Sequence, residues 1–471
     1  MNRRDFLKIS GALFATSAIA TACKKTVQGN IAEDSEGKDL SVDGQGSMTM
    51  RVNHNTGDRV SLLGFGMMRL PVVGGGTARE NPDAPIDQEL VNEQVDYALE
   101  HGVNYFDTSP AYCQGLSEKS TGIALARHPR SSYYIATKLS NFSPATWSLE
   151  ASKEMFENSL RELQTDYIDY LLLHGIGMSS EILDATDTFY ARYINNGLLN
   201  WLVEQKQKGR IRNLGFSYHG DVSVYDLLLQ WHDEGRYHWD FVQIELNYME
   251  WSYAKEVNPR NTNAAYLYDE LEKRDIPVVV MEPLLGGRLA NLPANMSARL
   301  KEREPQSPIA RWAFRFAGTP KGILTVLSGM TYIDHLKENI VTYSPLRPVD
   351  SEEHEMLMQI VLDMVSLNTV PCTACNYCMP CPYGLNIPAI FSFYNKCIND
   401  GHLPDTGDPN YQSARKRFLI SYDRAVPKLR QTAHCIGCNQ CAPHCPQRID
   451  IPKQMQRIDR FVEHIKTTGS I

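Results

Sequence analysis

From about Ser61 to Met330 the chain alternates short apolar, β-branched runs with longer stretches of helical periodicity. The apolar runs are SLLGFGMM, VNYFDTS, YYIATKLS, YIDYLLLHG, IRNLGFSYH, FVQIELNY, IPVVVMEP and ILTVLSGM. Each is close to continuously apolar, as a parallel strand buried on both faces should be. Between them lie amphipathic stretches such as ELVNEQVDYALEHG, TWSLEASKEMFENSLRELQT and LYDELEKRD, several closed by glycine or charged residues as helix C-termini are. Eight such β/α units in about 270 residues predict an α/β fold, a (β/α)8 TIM barrel. A doubly wound sheet is the competing arrangement, and no G-x-G-x-x-G follows the first strand to support it. In a barrel the functional residues belong at the C-terminal ends of the strands. Polar side chains stand there: Asp107, Lys138, His174, Ser217, Asn247 and Glu282. A buried lysine ending an apolar strand is costly unless paired, and Asp107 is the natural partner of Lys138.

Beyond about Asp350 the pattern changes to helical stretches (HEMLMQIVLDMVSLN, IPAIFSFYNKCIND, IPKQMQRIDRFVEHI) separated by two cysteine runs. Cys372, Cys375, Cys378 and Cys381 lie in CTACNYCMPCP, and Cys435, Cys438, Cys441 and Cys445 in CIGCNQCAPHCP. The second run is C-x2-C-x2-C-x3-C-P, the spacing with which bacterial ferredoxins hold [4Fe–4S] clusters, the fourth cysteine ligating the other cluster. Two runs predict two clusters and single-electron chemistry. Structural zinc favours paired knuckles, and adjacent C-x2-C pairs make poor disulfides. The first run spaces its last two cysteines by two residues, which makes Cys397 a substitute ligand to consider. Each run is followed by a similar phrase, PYGLNIPAIF and PQRIDIPKQM, an internal repeat expected of two equivalent units.

The N-terminus reads as a signal and not as part of the fold. Arg3-Arg4 followed by Phe6-Leu7-Lys8 resembles a twin-arginine export signal. The apolar stretch from Ile9 to Ala22 is short for a membrane span and rich in small residues. Ala20-Thr21-Ala22-Cys23 resembles a lipoprotein processing site, with Cys23 as the lipid anchor and the only membrane contact. The expected organisation is a signal segment at 1–23, a flexible linker at 24–50, a barrel at 51–346 and a smaller, mainly helical iron–sulfur domain at 347–471. The expected location is periplasmic, or anchored to a bacterial membrane as a lipoprotein. A twin-arginine route, which carries folded and cofactor-loaded proteins, fits clusters assembled in a reducing cytoplasm.

Composition adds little. Apolar residues at 42% and charged residues at 22% are ordinary globular values. The net charge of −8 offers no chain-wide basic excess for nucleic-acid binding. The basic stretch RKRFLISYDRAVPKLR reads as a solvated helix face, or as a docking surface for an acidic electron partner.

Together, LGFGMMRLP, NYFDTSPAYCQGLSEKSTGIAL, ATKLS, LQTDYIDYLLLHG, KGRIRNLGFSYH, QIELNY and SGMTYIDHLKENI resemble the aldo-keto reductases, in the branch with a C-terminal ferredoxin-like domain. The resemblance implies a catalytic tetrad of Asp107, Tyr112, Lys138 and His174. Carbonyl reduction needs a hydride on carbon and a proton on oxygen. Tyr112 would give the proton, Lys138 would lower its pKa, Asp107 would hold Lys138, and His174 would orient the substrate oxygen. The resemblance also implies an NAD(P) site. Ser217 and Gln243 would grip the carboxamide, and Leu284, Gly286 and Gly287 in PLLGGRLA would cover the pyrophosphate. Glu338 and Asn339 would lie near the adenosine ribose. Where the family often carries basic residues for a 2′-phosphate this chain has Gly329 and His335, so NAD and NADP both stay open. Cys113, Met67 and Met68 are further candidate pocket residues.

Two functions follow. One is an oxidoreductase acting on a carbonyl or alcohol, sugar-derived substrates included, coupled to cluster electron transfer and a redox partner protein. The other is an iron–sulfur electron-transfer protein whose barrel is a docking or ligand-binding scaffold. Clusters pass one electron and nicotinamide two, and no motif for converting between them is visible.

Overall fold

The computed structural model describes residues 41–468, except 43–44, 79, 82, 181 and 368. The expected signal segment and the expected anchor at Cys23 lie outside the described residues. Each of the eight apolar runs forms a strand: β1 (Leu63–Gly66), β2 (Tyr105–Asp107), β3 (Tyr134–Leu139), β4 (Ile168–Ile176), β5 (Ile211–Tyr218), β6 (Phe241–Glu245), β7 (Val278–Met281) and β8 (Ile323–Ser328). They pair in parallel in sequence order. β8 closes on β1 through Val326 opposite Leu63, Leu327 opposite Gly64 and Ser328 opposite Phe65. Every residue of β4 is buried, which is why the run carries no polar alternation.

Tyr105, Ala136, Tyr170, Leu172, Phe241, Val279 and Leu324 fill the barrel's interior, with Val60 below them. Val60 belongs to an antiparallel hairpin, Met50–Val52 with Arg59–Ser61, across the N-terminal end. Its turn meets the barrel in a polar network: the Tyr170 hydroxyl donates to Asp58 Oδ2 at 2.9 Å, and Asn53 Nδ2 donates to Asn213 Oδ1 at 3.1 Å. The lower end is thereby sealed, leaving the C-terminal end to carry the site.

The helix Ser351–Ser366 starts at a reciprocal cap between Asp350 and Glu353. The expected boundary at 346/347 leaves it with the cysteine region. Its buried Leu357, Ile360, Val361 and Met364 belong instead to the barrel's core. Arg315, wholly buried, fixes it further by donating to Glu353 Oε2 at 2.5 Å and to Glu304 Oε1 at 3.0 Å. A second apolar core begins only at Val370. It is built by the helices Ile387–Asn399, Tyr411–Ala425 and Ile451–Thr467. The repeated phrase is structural: Asn386 and Asp450 each cap a helix that opens Ile-Pro, accepting from the backbone N–H of Ala389 and Lys453. Among the described residues no helix is long and apolar enough to cross a membrane.

Candidate active site and cysteine centres

Three of the four expected catalytic residues stand where consecutive strands end. Lys138 Nζ lies 2.6 Å from Asp107 Oδ1 and donates to the Thr108 carbonyl at 2.8 Å; both charged side chains are almost wholly buried. Burial pulls the Lys138 pKa down and pushes that of Asp107 up, and each partner opposes the shift in the other. Tyr112 follows β2 on a short turn. The Lys138 ammonium sits 4.9 Å from its ring centroid, and the His174 ring meets it edge-on at 6.0 Å.

His174, at the end of β4, is buried, and its pKa falls well below the ordinary value, first through burial and then through Lys138. Its Nδ1 lies 2.6 Å from the Ser140 hydroxyl, which is 2.8 Å from that of Ser109. A neutral imidazole accepting from Ser140 at Nδ1 carries its proton on Nε2. The ring is steadied by Phe142 at 4.8 Å and by buried Arg192, whose Nη2 donates to the His174 carbonyl at 2.6 Å. Ser140, Ser109 and Arg192 were not singled out from the sequence. Ser140 and Ser109 each lie within two residues of a predicted catalytic position, the one signal that could have found them. Arg192 lies in a helical stretch with nothing to distinguish it. Glu118 was missed as well: it accepts from Thr137 Oγ1 at 2.5 Å, and burial pushes its pKa up to about 7.

Asp107, Tyr112 and His174 line a cavity of about 1680 Å³ at the barrel's C-terminal end. Of the expected nicotinamide contacts, Gln243, Leu284, Gly286, Gly287, Glu338 and Asn339 line the same cavity. The fit is clearest at Gln243: its Oε1 is buried without a hydrogen-bond partner, while Nε2 points to Met281 Sδ at 3.2 Å. Ser217 is placed differently. It is buried, and its hydroxyl accepts from the Gly175 N–H at 2.9 Å, which leaves its O–H to donate elsewhere. Asn339 Nδ2 donates to Ser328 Oγ at 3.1 Å. Met68 lines the cavity, whereas Met67 and Cys113 are buried and the Cys113 thiol points to the Met68 carbonyl.

Between β6 and β7 the rim is acidic, with Glu245, Glu282 and buried Glu250. The Glu250 pKa is pushed up to about 8 by burial and then by Glu245. The Glu282 carboxylate accepts from the Gly286 N–H at 2.6 Å and so ties down the glycine turn.

The eight cysteines fall into two groups that cross between the runs. Cys372, Cys375, Cys378 and Cys445 line one small cavity, and Cys372 and Cys378 each act electrostatically on Cys375 and Cys445. Cys441 has Cys435, Cys381 and Cys438 within electrostatic reach, and also Cys378 of the first group. Cys397 lies on its helix with Asp400 and Lys396 as its charged neighbours, and none of the eight thiols acts on it. Among the described residues no three His, Cys, Asp or Glu side chains could hold a single metal ion. A cubane offers each thiolate its own iron and so suits a wider ring, such as four thiols around a cavity.

A closed parallel barrel with a buried Asp–Lys pair beside a tyrosine and a histidine at its C-terminal mouth defines an oxidoreductase of carbonyls and alcohols. Residues 63–361 match the aldo/keto reductase family, and the chain belongs to it. It is similar to L-galactose dehydrogenase of Arabidopsis thaliana, 26% identical over 68% of this chain and 97% of that one. Similarity to D-arabinose 1-dehydrogenase of Saccharomyces cerevisiae, 30% identical, covers 31% of this chain and 42% of that one. Among solved structures it resembles the holo form of an aldo-keto reductase from Bacillus halodurans, at 25% identity and a TM-score of 0.49, over 66% of this chain and 96% of the other.

Proposed function

We propose that this chain interconverts the carbonyl and alcohol of a small, sugar-derived substrate with a bound NAD(P), and that its cysteine region holds two [4Fe–4S] clusters. The observation that carries the first half is the buried Asp107–Lys138 pair against the Tyr112 ring, with neutral His174 across the same cavity. The Lys138 ammonium sets a positive charge beside the ring where a phenolate would form. Asp107 keeps that ammonium charged against burial. His174 donates from Nε2 to the substrate oxygen, and Tyr112 delivers the proton there. The nicotinamide, when bound, supplies or takes the hydride. The unpartnered Oε1 of Gln243 suits a carboxamide N–H, and Gly286 and Gly287 let a dinucleotide approach the backbone. The names of the Arabidopsis and yeast relatives support a sugar-derived substrate.

For the clusters, the support is the cysteine spacing together with the crossed grouping, Cys372, Cys375, Cys378 and Cys445 against Cys381, Cys435, Cys438 and Cys441. Export by the twin-arginine route, anchoring at Cys23 and a redox partner protein complete the reading. Mass spectrometry of the membrane fraction should find Cys23 lipidated and N-terminal.

The decisive experiment compares wild type with Tyr112→Phe, purified without oxygen, on a panel of aldoses and other carbonyls with NADH and NADPH. Turnover should fall by about 10²–10⁴ while nicotinamide binding persists. Equal turnover would refute the role of Tyr112. Iron and sulfide near eight each per chain are expected for two clusters.

A further inference from the structure

The cysteine region is not an appendage hanging from the barrel. The cavity lined by Tyr112 and His174 is lined also by Thr373, Cys375, Tyr377, His444, Cys445 and Arg448. Cys375 and Cys445 thus face two spaces at once: the catalytic cavity and the small cavity they share with Cys372 and Cys378. The contact behind this is tight. Gly286 has a φ of +66°, and a Cβ placed on it would lie 2.4 Å from the Thr373 Cβ. The glycine turn of the barrel therefore lies flat against the first cysteine run, at a point where no side chain fits between them.

Hydrogen bonds fix the second run to the same rim. Asn258 Nδ2 donates to the Pro446 carbonyl at 3.1 Å, and Arg448 Nη2 donates to Ser179 Oγ at 2.9 Å. Half-buried Arg288, from the glycine turn, reaches Thr369 and lies within electrostatic reach of Cys372. The two groups differ at one member each: Cys438 of the other group is exposed and Cys445 of this one is buried, while the remaining six thiols are half-buried. The groups adjoin through Cys378 and Cys441.

Resting on the cluster reading above, we propose that Cys372, Cys375, Cys378 and Cys445 form an inner redox centre that is part of the catalytic cavity's wall. Cys381, Cys435, Cys438 and Cys441 form the outer centre that exchanges electrons with the surroundings. The outer cysteines would hold a group able to take one electron from a one-electron donor and pass it to the group held by the inner cysteines, with no bond made or broken and no proton required. The inner thiolates therefore sense whatever occupies the barrel mouth, and the outer ones do not.

The test uses the full chain, loaded with iron and sulfide without oxygen and reduced by dithionite, read by electron paramagnetic resonance with and without NADPH and ADP-ribose. Nicotinamide binding is followed by fluorescence in parallel. One of two cluster signals should shift on addition, and that signal should be missing in Cys372→Ser and Cys445→Ser. It should remain, and still shift, in Cys438→Ser. Should a serine variant fail to fold, the redox midpoint of each wild-type signal carries the test: addition should move one midpoint and leave the other. Iron near eight per chain with neither signal nor midpoint responding overturns this inference alone, whether or not fluorescence detects binding. A response confined to the signal lost in Cys438→Ser also overturns it. Iron below about two per chain after loading removes the cluster reading itself, and this inference with it.

Discussion

The Asp107–Lys138 pair gives the sharpest quantitative expectation. Lys138 is 1% exposed, and besides meeting Asp107 it donates to the neutral Thr108 carbonyl. Asp107→Asn keeps an oxygen for the ammonium but removes the charge, leaving a buried cation uncompensated. Breaking such a pair from one side costs about 3–5 kcal/mol. Lys138→Met should cost a similar amount, because Asp107 Oδ2 is already buried without a hydrogen-bond partner and Oδ1 would lose the ammonium that bonds it. The double variant Asp107→Asn with Lys138→Met contains no buried charge, so most of the lost stability should return. The coupling should therefore be at least the cost of one single substitution, about 3 kcal/mol or more, at the top of the range that contacting residues show. Activity should not return, since Tyr112 then has no ammonium beside it. Urea midpoints of the four proteins and their turnover on one carbonyl substrate complete the cycle. Strictly additive stability losses, or turnover recovered in the double variant, would refute the argument.

Two further expectations concern residues that sequence reading passed over. Ser140→Ala removes the hydroxyl 2.6 Å from His174 Nδ1; one hydrogen bond of about 1 kcal/mol should lower kcat/KM roughly five- to tenfold with little change in nicotinamide affinity. Glu118 binds its proton more tightly in the folded chain than in the unfolded one, its pKa being pushed up to about 7. Its stabilising contribution is therefore full below about pH 4.5 and lost as pH rises through 7, on the order of 3 kcal/mol. Melting temperatures of Glu118→Gln and wild type should diverge in the variant's favour between pH 4.5 and 7, and a constant difference would defeat this assignment.

The barrel was legible because parallel strands covered on both faces must be apolar along their length, and eight such runs in succession leave few other closures. The strand-end positions of Asp107, Lys138 and His174 were legible for the same reason: strand ends are where a polar residue interrupts an apolar run. Ser140 and Arg192 were not, since what marks them is a distance to His174, not a pattern. The helix Ser351–Ser366 shows the limit of periodicity. Its apolar stripe is plain in the sequence, but a stripe does not say which core receives it, and Leu357 and Ile360 turned out to face the barrel. The junction between Gly286 and Thr373 joins segments far apart in the chain, and no local signal announces it.

That junction also bears on kinetics. Two separate proteins exchanging electrons must meet by diffusion, and their rate falls with dilution and with added salt. Here the Thr373 backbone already lies on the glycine turn, and the two partners share one chain. For tethered partners the effective concentration is on the order of millimolar whatever the protein concentration, and a partner already seated needs no search at all. A change at the barrel mouth should therefore reach the Cys375–Cys445 side as a first-order event, insensitive to dilution and ionic strength, which leaves the exposed Cys438 side as the one place where encounter sets the pace.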